Sequence, residues 1–416
     1  MDPHQDIPVG VLHLIPLGLA KHVTKYIFKN VQEPCLVKIM SHLLSVYPGS
    51  QFKDFDKNID SRQGKDFKTY LQIAPLNMAY ADVPSKFVKL TACLATIQKE
   101  VNRDTFSNND IMRLKEYITD FHKLLMNHIP ELVTKVKVHL LLHLVEDIKR
   151  HGPPKCYLED SFEKGHAGMR TVVFQQNQKA RSRDTASKFA KLMILNHVVT
   201  GGYFQDDSEW RTASKLVLNL CLEERVMSHL GLAKEDEEKE TKAGTISFLD
   251  RINSSHRPLF KKPDAILSLL LEVRFGMTNF LVCSGRAVRA KNGQLINTDD
   301  WVAYHEDAVE HYGIFKEGFI LQGSSKLLVV KIQLARITEE KAVGCPKVEL
   351  LERMDFFKST SITRKMPIIH DCKGGHCRVV EELTTEKMEQ EKVTTERVSL
   401  KHCLMHKKYV VNMYSL

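Results

Sequence analysis

Hydrophobic positions in the first half of the chain recur at the spacing of an α-helix. Between Leu36 and Tyr47 apolar residues return every three or four positions, and Pro48-Gly49 ends the pattern. The same spacing predicts further helices over residues 109–126, 132–148, 185–199 and 210–230. Gly201-Gly202 follows the third of these and is typical of a C-terminal helix stop. The first half is therefore predicted to be mostly helical.

The pattern changes beyond Ile266 to short β-favouring runs separated by Gly, Asn-Gly and Asp-rich turns. Between Lys234 and Lys242 the sequence KEDEEKETK has no apolar side chain to bury, so we expect a solvated linker there. These patterns predict an α+β chain with a small β-rich domain of the SH3-like or barrel kind at its end. The predicted boundaries are 1–232 for the helical region, 233–265 for the linker and connection, and 266–416 for the β-rich domain.

Composition narrows the class of protein without naming a function. A length of 416 residues favours two domains, and 43% hydrophobic with 27% charged residues is typical of a globular protein. We expect no secretion and no membrane partner, because neither a signal peptide nor an apolar run of about 20 residues is present. The absence of a GxGxxG or GxxxxGK loop argues against a nucleotide cofactor. A formal charge of +9 admits a polyanionic partner without requiring one.

Cysteine and histidine residues converge in the tail of the sequence. The nine cysteines are an odd number and mostly isolated, which suits a reducing compartment, and Cys283 is one of those expected in a core. The stretch HDCKGGHC and the residues before the final strand supply thiol and imidazole groups, which suit tetrahedral zinc. The favoured ligand set is His370, Cys372, Cys377 and His402, with His376, Cys403 and His406 as rivals. A cluster of reduced, purely structural cysteines is the alternative.

The stretch from Val138 to Arg183 contains the other candidate residues. His139 and His143 are four positions apart and share a helix face, so they could bind one zinc ion with ligands from elsewhere. Two partly buried helix histidines are the simpler interpretation of that pair. Beyond Glu163 lies a segment of basic and amide side chains, the types that contact phosphates and base edges, although a solvated surface is the alternative. Its candidate DNA-binding residues are Arg170, Lys179, Arg181 and Arg183.

A resemblance to a known family changes the weight of these candidates. In order and spacing, the segments HLLLHLVEDIKRHGP, FE, SRDTASKFA and HVVTGGYF resemble the closing part of CACTA-type (En/Spm-like) transposases, especially those of basidiomycete fungi. Upstream DPHQDIPVGVLHLIPLGLAKHV and GKDFKTYLQIAP, and downstream IIHDCKGGHC and YVVNMYSL, resemble further segments of the same proteins. The resemblance extends from Asp2 to Leu416 and is most specific between His139 and Gly202.

The resemblance implies an RNase H-like catalytic core of which this chain has the insertion and closing parts. Such cores hold two Mg²⁺ ions with two Asp and one Glu, and the ions promote an in-line displacement at a phosphodiester. It implies that Glu163 is the third carboxylate and that His139 and His143 are half of a zinc site completed by a CxxC pair. It further implies a DNA partner and a nuclear location, and it leaves a homo-oligomer open.

Departures from the family pattern argue against catalysis by this chain alone. Gly10 occupies the position of an acidic residue, neither of the candidates Asp2 and Asp6 clearly replaces it, and the chain has no CxxC pair. The first Asp of the family is expected to precede Met1. Because one carboxylate cannot position two divalent cations, we expect a truncated or degenerate, DNA-associated transposase. The alternatives are an active Mg²⁺-dependent transposase or nuclease and a domesticated chromatin or protein-interaction module.

Overall fold

The computed structural model divides the chain into two compact units. One comprises Met1–Tyr157 with Thr241–Leu416, and the other comprises Leu158–Glu240. The helical and β-rich regions expected from the sequence thus both contribute to the first unit, and the predicted domain boundaries stay a prediction. The structure describes residues 7–49, 51–159, 169–170, 173–174, 179–223, 225–227, 242–247, 260–323, 326–388, 391–403 and 405–415, with backbone alone for 382–397.

Helices make up the N-terminal part of the first unit. The longest, α6 (Asn108–His128), begins with a capping box in which Ser107 and Asp110 satisfy each other's backbone N–H groups. Its apolar stripe faces a hydrophobic core that extends continuously from Val11 to Ile148. The helices are α1 (Val11–Leu14), a π-helical turn (Ile15–Ala20), α2 (Lys21–Asn30), α3 (Glu33–Val46), α4 (Gly64–Tyr80), α5 (Ser85–Glu100), α6 (Asn108–His128), α7 (Pro130–Val133) and α8 (Val136–His151), with 3-10 turns at Ile59–Ser61 and Pro154–Tyr157.

The second unit contains two helices and a short hairpin in its described part. Helix α9 spans Arg181–Val199 and ends before Gly201, whose φ of 88° confirms the predicted stop. Strands β1 (Phe204–Asp206) and β2 (Glu209–Arg211) follow, and then α10 (Lys215–Leu220). The predicted helix at 210–230 is wrong at its start, because Trp210 lies in β2. Asp207 and Ser208 adopt left-handed conformations that close a tight hairpin and prevent a helix there.

Antiparallel strands dominate the C-terminal part of the first unit. The elements are β3 (Ile246–Ser247), helix α11 (Ala265–Phe275), β4 (Leu281–Gly285), β5 (Ala287–Arg289), β6 (Leu295–Asn297), β7 (Trp301–Glu306), β8 (Val309–Gln322), β9 (Lys326–Ala342), β10 (Cys345–Lys358), a 3-10 turn (Ser359–Ser361), β11 (Ile362–Lys365), β12 (Ile368–His370), β13 (Arg378–Met388), β14 (Glu391–Lys401) and β15 (Lys408–Val411). The largest sheet has the strand order β11-β7-β8-β9-β10-β15-β12, and β4 also pairs with β8. Bulges such as the one between Phe315 and Glu317 bend the long strands.

The end of the chain packs onto the helices of the same unit. Leu76 of α4 shares an apolar cluster with Cys345 and Val410. The side-chain amide of Asn412 donates to the backbone oxygen of Gln72 at 2.8 Å. The protein is thus an α+β protein with a helical N-terminal half and a β-rich C-terminal region. The finer RNase H-like and SH3-like assignments stay predictions. None of the helices in the described residues combines the length and apolar character needed to span a bilayer.

Candidate metal centre

Four of the residues named from the tail sequence lie together. His370 ends β12, Cys372 and Cys377 lie at the two sides of the turn that follows, and His402 comes directly after β14. Their ligand atoms all lie within 4.8 Å of one another, and we call this group the His/Cys centre. Cys377 directly precedes β13 and His402 directly follows β14, so both adjoin the first pair of the β13–β14 ribbon, Arg378 with Lys401. The centre therefore closes the base of that ribbon.

Three sulfur–nitrogen distances within the His/Cys centre match those of a tetrahedral metal site. The Cys372 Sγ atom lies 3.5 Å from His370 Nδ1 and 3.4 Å from His402 Nδ1. The Cys377 Sγ atom lies 3.5 Å from His370 Nδ1. A tetrahedral ion with metal–sulfur bonds of about 2.3 Å and metal–nitrogen bonds of about 2.0–2.1 Å separates adjacent S and N ligands by about 3.5 Å. The group has the composition and geometry to hold a metal such as zinc.

The turn between the two thiols is shaped by its own backbone. The Cys377 N–H donates to the Cys372 carbonyl at 3.0 Å, and the Gly375 N–H donates to the Asp371 carbonyl at 2.8 Å. A Cβ atom on Gly374 would lie 2.5 Å from an oxygen of Asp371, and one on Gly375 would lie 2.9 Å from the His406 ring. Side chains at either glycine would displace these neighbours, so the Gly-Gly pair allows the turn to bring the thiols together.

Hydrogen bonds outside the ligand set orient two of its members. His370 presents Nδ1 to the thiols, and its Nε2 lies 3.1 Å from the His406 carbonyl oxygen. In this arrangement Nε2 carries the hydrogen and donates it to that oxygen, a partner typical of metal-bound imidazoles. The backbone N–H of Cys403 points to the Cys377 sulfur at 3.4 Å. The rivals His406 and Cys403 therefore contribute backbone groups, while His376 is exposed.

An ion pair fixes the same turn to the sheet. Asp371 is buried, and its Oδ2 lies 2.8 Å from the Nζ of Lys347 on β10. Burial alone would raise the pKa of Asp371, but the Lys347 ammonium and the Gly374 N–H hold that pKa below its usual value. The pKa of the Cys372 thiol is raised, chiefly by burial and then by Cys377. A bound cation is the group that would offset this cost and stabilise the thiolate.

The helical part of the unit contacts the His/Cys centre from the other side. The Tyr80 hydroxyl donates to the Cys377 carbonyl at 3.3 Å, and Lys373 Nζ lies 2.8 Å from Asp82. The buried ring of His42 stacks on Tyr80 at 5.0 Å between centroids. Burial, with smaller effects of two histidines of the centre, lowers the pKa of His42 to about 4, so its ring is neutral at pH 7. Residues far apart in sequence thus surround the centre.

The remaining candidates lie elsewhere or outside the described residues. The Nε2 atoms of His139 and His143 lie 3.1 Å apart on the exposed side of α8. Within the described residues, no further His, Cys, Asp or Glu completes a metal cluster with this pair. Glu163 and Asp6 fall outside the described residues. The basic candidates Arg170, Lys179, Arg181 and Arg183 are all exposed, and the last two begin α9.

Comparison with known proteins identifies only a family of unknown function. Residues 261–416 match the family described as Domain of unknown function (DUF8590). That stretch contains all four residues of the His/Cys centre. No curated protein matches the chain, and no solved structure matches it. The family match therefore supports the C-terminal region as a recurring unit and leaves its activity to be inferred from the site.

Proposed function

We propose that the His/Cys centre is a structural zinc site that fastens the end of the β-rich region. The observation that carries this proposal is the set of three sulfur–nitrogen separations of 3.4–3.5 Å, which match the S–N edges of a zinc tetrahedron. Two thiolates and two imidazoles favour zinc over Mg²⁺ or Ca²⁺, which prefer oxygen ligands. Four protein ligands close the coordination shell, as in structural sites, whereas catalytic sites leave one position for water.

The position of the centre explains what the zinc would do. The ligands come from β12, from the turn after it and from the residue after β14, so one ion ties three segments together. The turn also contacts Tyr80 and Asp82 of the helical part. Zinc bound by two thiolates and two imidazoles contributes about 10 kcal/mol or more to the folding of a small module. The proposed role is therefore to fix the end of the sheet and its contact with the helices.

The test compares a cysteine of the His/Cys centre with a buried cysteine that lies outside it. Cys372→Ser removes a proposed ligand, and Cys283→Ser changes a buried cysteine of β4. We expect one zinc per chain in the unchanged protein and in Cys283→Ser, measured by elemental analysis after purification without chelators. We expect Cys372→Ser to lose zinc and melt at a lower temperature. Less than about half an equivalent of zinc in the unchanged protein would refute the proposal.

For the whole chain we propose a nuclear, DNA-associated protein of CACTA-type transposase descent that does not cleave DNA by itself. The support is the sequence resemblance, together with the exposure of Arg170, Lys179, Arg181 and Arg183 in the second unit. Exposed basic side chains on one helix end and the segment before it suit contacts to phosphates. Mg²⁺ would be needed only if the chain were active. The active transposase and the domesticated module remain the competing functions.

Salt dependence tests the DNA contact. Replacing Lys179, Arg181 and Arg183 with Ala should weaken binding to duplex DNA and reduce the salt slope by up to about 3. A matched control replaces Lys86, Lys89 and Lys115, which are exposed lysines of α5 and α6, with Ala. Equal slopes for the two triple variants would show that the basic segment is an ordinary solvated surface.

Incubation with DNA and Mg²⁺ or Mn²⁺ tests the absence of catalysis. We expect neither nicking nor joining, because a single carboxylate of family type cannot position two cations. Cleavage that depends on a divalent cation and disappears in Glu163→Gln would support the active enzyme and contradict this part of the proposal.

A further inference from the structure

Helix α11 has apolar side chains on two faces, and one of them is unpartnered within the described residues. Leu267, Leu271 and Phe275 pack into the cluster formed with strands of the sheet. The opposite face carries four large apolar side chains at positions i, i+3, i+4 and i+7. Their exposed fractions are 74% for Ile266, 62% for Leu269, 47% for Leu270 and 79% for Val273. A solvent-facing helix surface is ordinarily polar, so this stripe marks a surface for interaction.

A groove continues from this stripe onto the sheet. It has a volume of about 550 Å³ and lies between α11 and the strands β4, β8, β9 and β10. Ile266 and Leu270 form one wall. The buried side chains of Val282, Phe319 and Phe356 form the floor. An apolar floor beside an apolar helix stripe suits the side chains of an inserted peptide segment.

The rim of the groove is basic. Lys261, Lys262 and Lys331 line it, and the Lys331 Nζ atom lies 6.0 Å from the centre of the Phe356 ring. In the part of the chain that the structure describes, none of these three lysines has an ion-pair partner. Two carboxylates also lie at the rim, Glu317 and Asp264, and the latter accepts the backbone N–H of Leu267 as the N-cap of α11, so the three ammonium groups outnumber the carboxylates by one. The rim therefore favours an acidic occupant.

We propose that this groove, formed by α11 and the four strands beside it, binds an acidic amphipathic segment of a partner protein. Aliphatic or aromatic side chains of that segment would cover Ile266 and Leu270, and its carboxylates would face the three lysines. A second copy of the chain fits less well, because it would bring the same lysines together. Duplex DNA would leave the apolar stripe without an apolar contact. The inference is independent of the zinc proposal and of the proposed DNA contact.

Selection from a random peptide library displayed on phage, with the full-length chain as bait, tests the groove. We expect enriched peptides to combine acidic residues with aliphatic or aromatic residues. The double variant Ile266→Asp/Leu270→Asp should bind the most enriched peptide about tenfold more weakly or worse in fluorescence anisotropy. Met112→Asp, which changes an exposed apolar residue of α6, should bind it as the unchanged chain does. Circular dichroism spectra and thermal melting curves establish that each variant is folded.

Charge reversal tests the basic rim separately. Lys261→Glu, Lys262→Glu and Lys331→Glu combined should weaken peptide binding about tenfold and remove most of its salt dependence. The backbone pairing of Lys261 with Val282 does not involve the lysine side chain, so the strand contact is retained. Enriched peptides without acidic residues would overturn the proposal, as would equal binding by Ile266→Asp/Leu270→Asp. The absence of enrichment would also overturn it. So would a dimer in sedimentation that the double variant abolishes, because a second copy would then be the occupant.

Discussion

The helical and β-rich parts of the first unit are stabilised in different ways. The helices surround one continuous apolar core that extends from Val11 to Ile148. The β-rich part divides its described apolar side chains among several smaller clusters, and its last strands meet at the His/Cys centre. Since hydrophobic stabilisation grows with the apolar area removed from water, small clusters stabilise their surroundings less. We expect a metal cross-link at the end of the sheet to compensate for this smaller hydrophobic stabilisation.

Removing the metal should have the largest effect, and it should destabilise the β-rich part more than the helical part. Chelation of the zinc-loaded chain should destabilise the strands at the centre, because zinc supplies about 10 kcal/mol or more to such a module. Hydrogen exchange should accelerate in Ile368–His370 and Lys408–Val411, while Asn108–His128 in the helical core stays protected. Equal loss of protection in both places would mean that the two parts unfold as one cooperative unit.

Shortening one buried side chain in the helical core should have the next largest effect on stability and should leave the metal in place. Phe121 is fully buried, so Phe121→Ala should lower the free energy of unfolding by about 3–5 kcal/mol in denaturant titrations. Met126 lies on the same helix and is 52% exposed, so Met126→Ala should change it by less than about 0.5 kcal/mol. Both variants should retain one zinc per chain. Zinc loss in Phe121→Ala would show that the core and the centre depend on each other.

The hydroxyl group of Tyr80 forms one contact between the helical and β-rich parts, and a substitution can remove it. Tyr80→Phe removes the donor to the Cys377 carbonyl and should cost about 0.5–1.5 kcal/mol without loss of zinc. Tyr203→Phe, at an exposed tyrosine of the second unit, is the control and should be neutral. An effect of the control as large as that of Tyr80→Phe would mean that the hydroxyl does not act through this contact.

The smallest effect is expected from an ion pair within the β-rich part. Arg364 contacts both carboxylate oxygens of Glu310, at 2.6 and 2.9 Å. Burial alone would raise the pKa of Glu310, but Arg364 and Tyr312 hold it below its usual value. The stability from this pair is therefore present above the unfolded-state pKa of about 4.3 and is lost as pH falls through the lower folded-state pKa. Because both groups are partly exposed, Arg364→Met should cost at most about 1 kcal/mol at pH 7. That cost should be smaller in thermal melting curves recorded at pH 3. If the cost is the same at both pH values, the loss of stability comes from lost packing and not from the ion pair.

The sequence predicts the structure well where one segment determines the outcome. The stripe of α6 is such a local pattern, since a helix was predicted over residues 109–126 and is found at Asn108–His128, and strands such as β7 and β15 lie in the region of predicted β-favouring runs. Helix α4 was missed because it is buried nearly all round and contains Pro75, so it has no clear polar face. The left-handed pair Asp207 and Ser208 likewise closes a hairpin that places Trp210 in a strand, where apolar spacing had favoured the start of a helix.

The same difference between local and distant signals applies to the candidate site. Its four possible ligands were predicted from the tail sequence together with the family resemblance, since HDCKGGHC has the turn and the ligand types of a metal loop. His42 and Tyr80 carry no local signal for a place beside that loop, because only the packing of distant segments brings them there. Asp371 lies within the loop, but its pairing with Lys347 depends on sheet register.

X-ray absorption at the zinc edge tests the central claim most directly. It reports the ligand atoms around the metal in the full-length chain without any substitution. The structure predicts one zinc with two sulfur ligands at about 2.3 Å and two nitrogen ligands at about 2.0–2.1 Å. Two results would contradict a structural zinc site formed by His370, Cys372, Cys377 and His402. One is a coordination shell of nitrogen and oxygen alone, and the other is purified protein that contains no zinc.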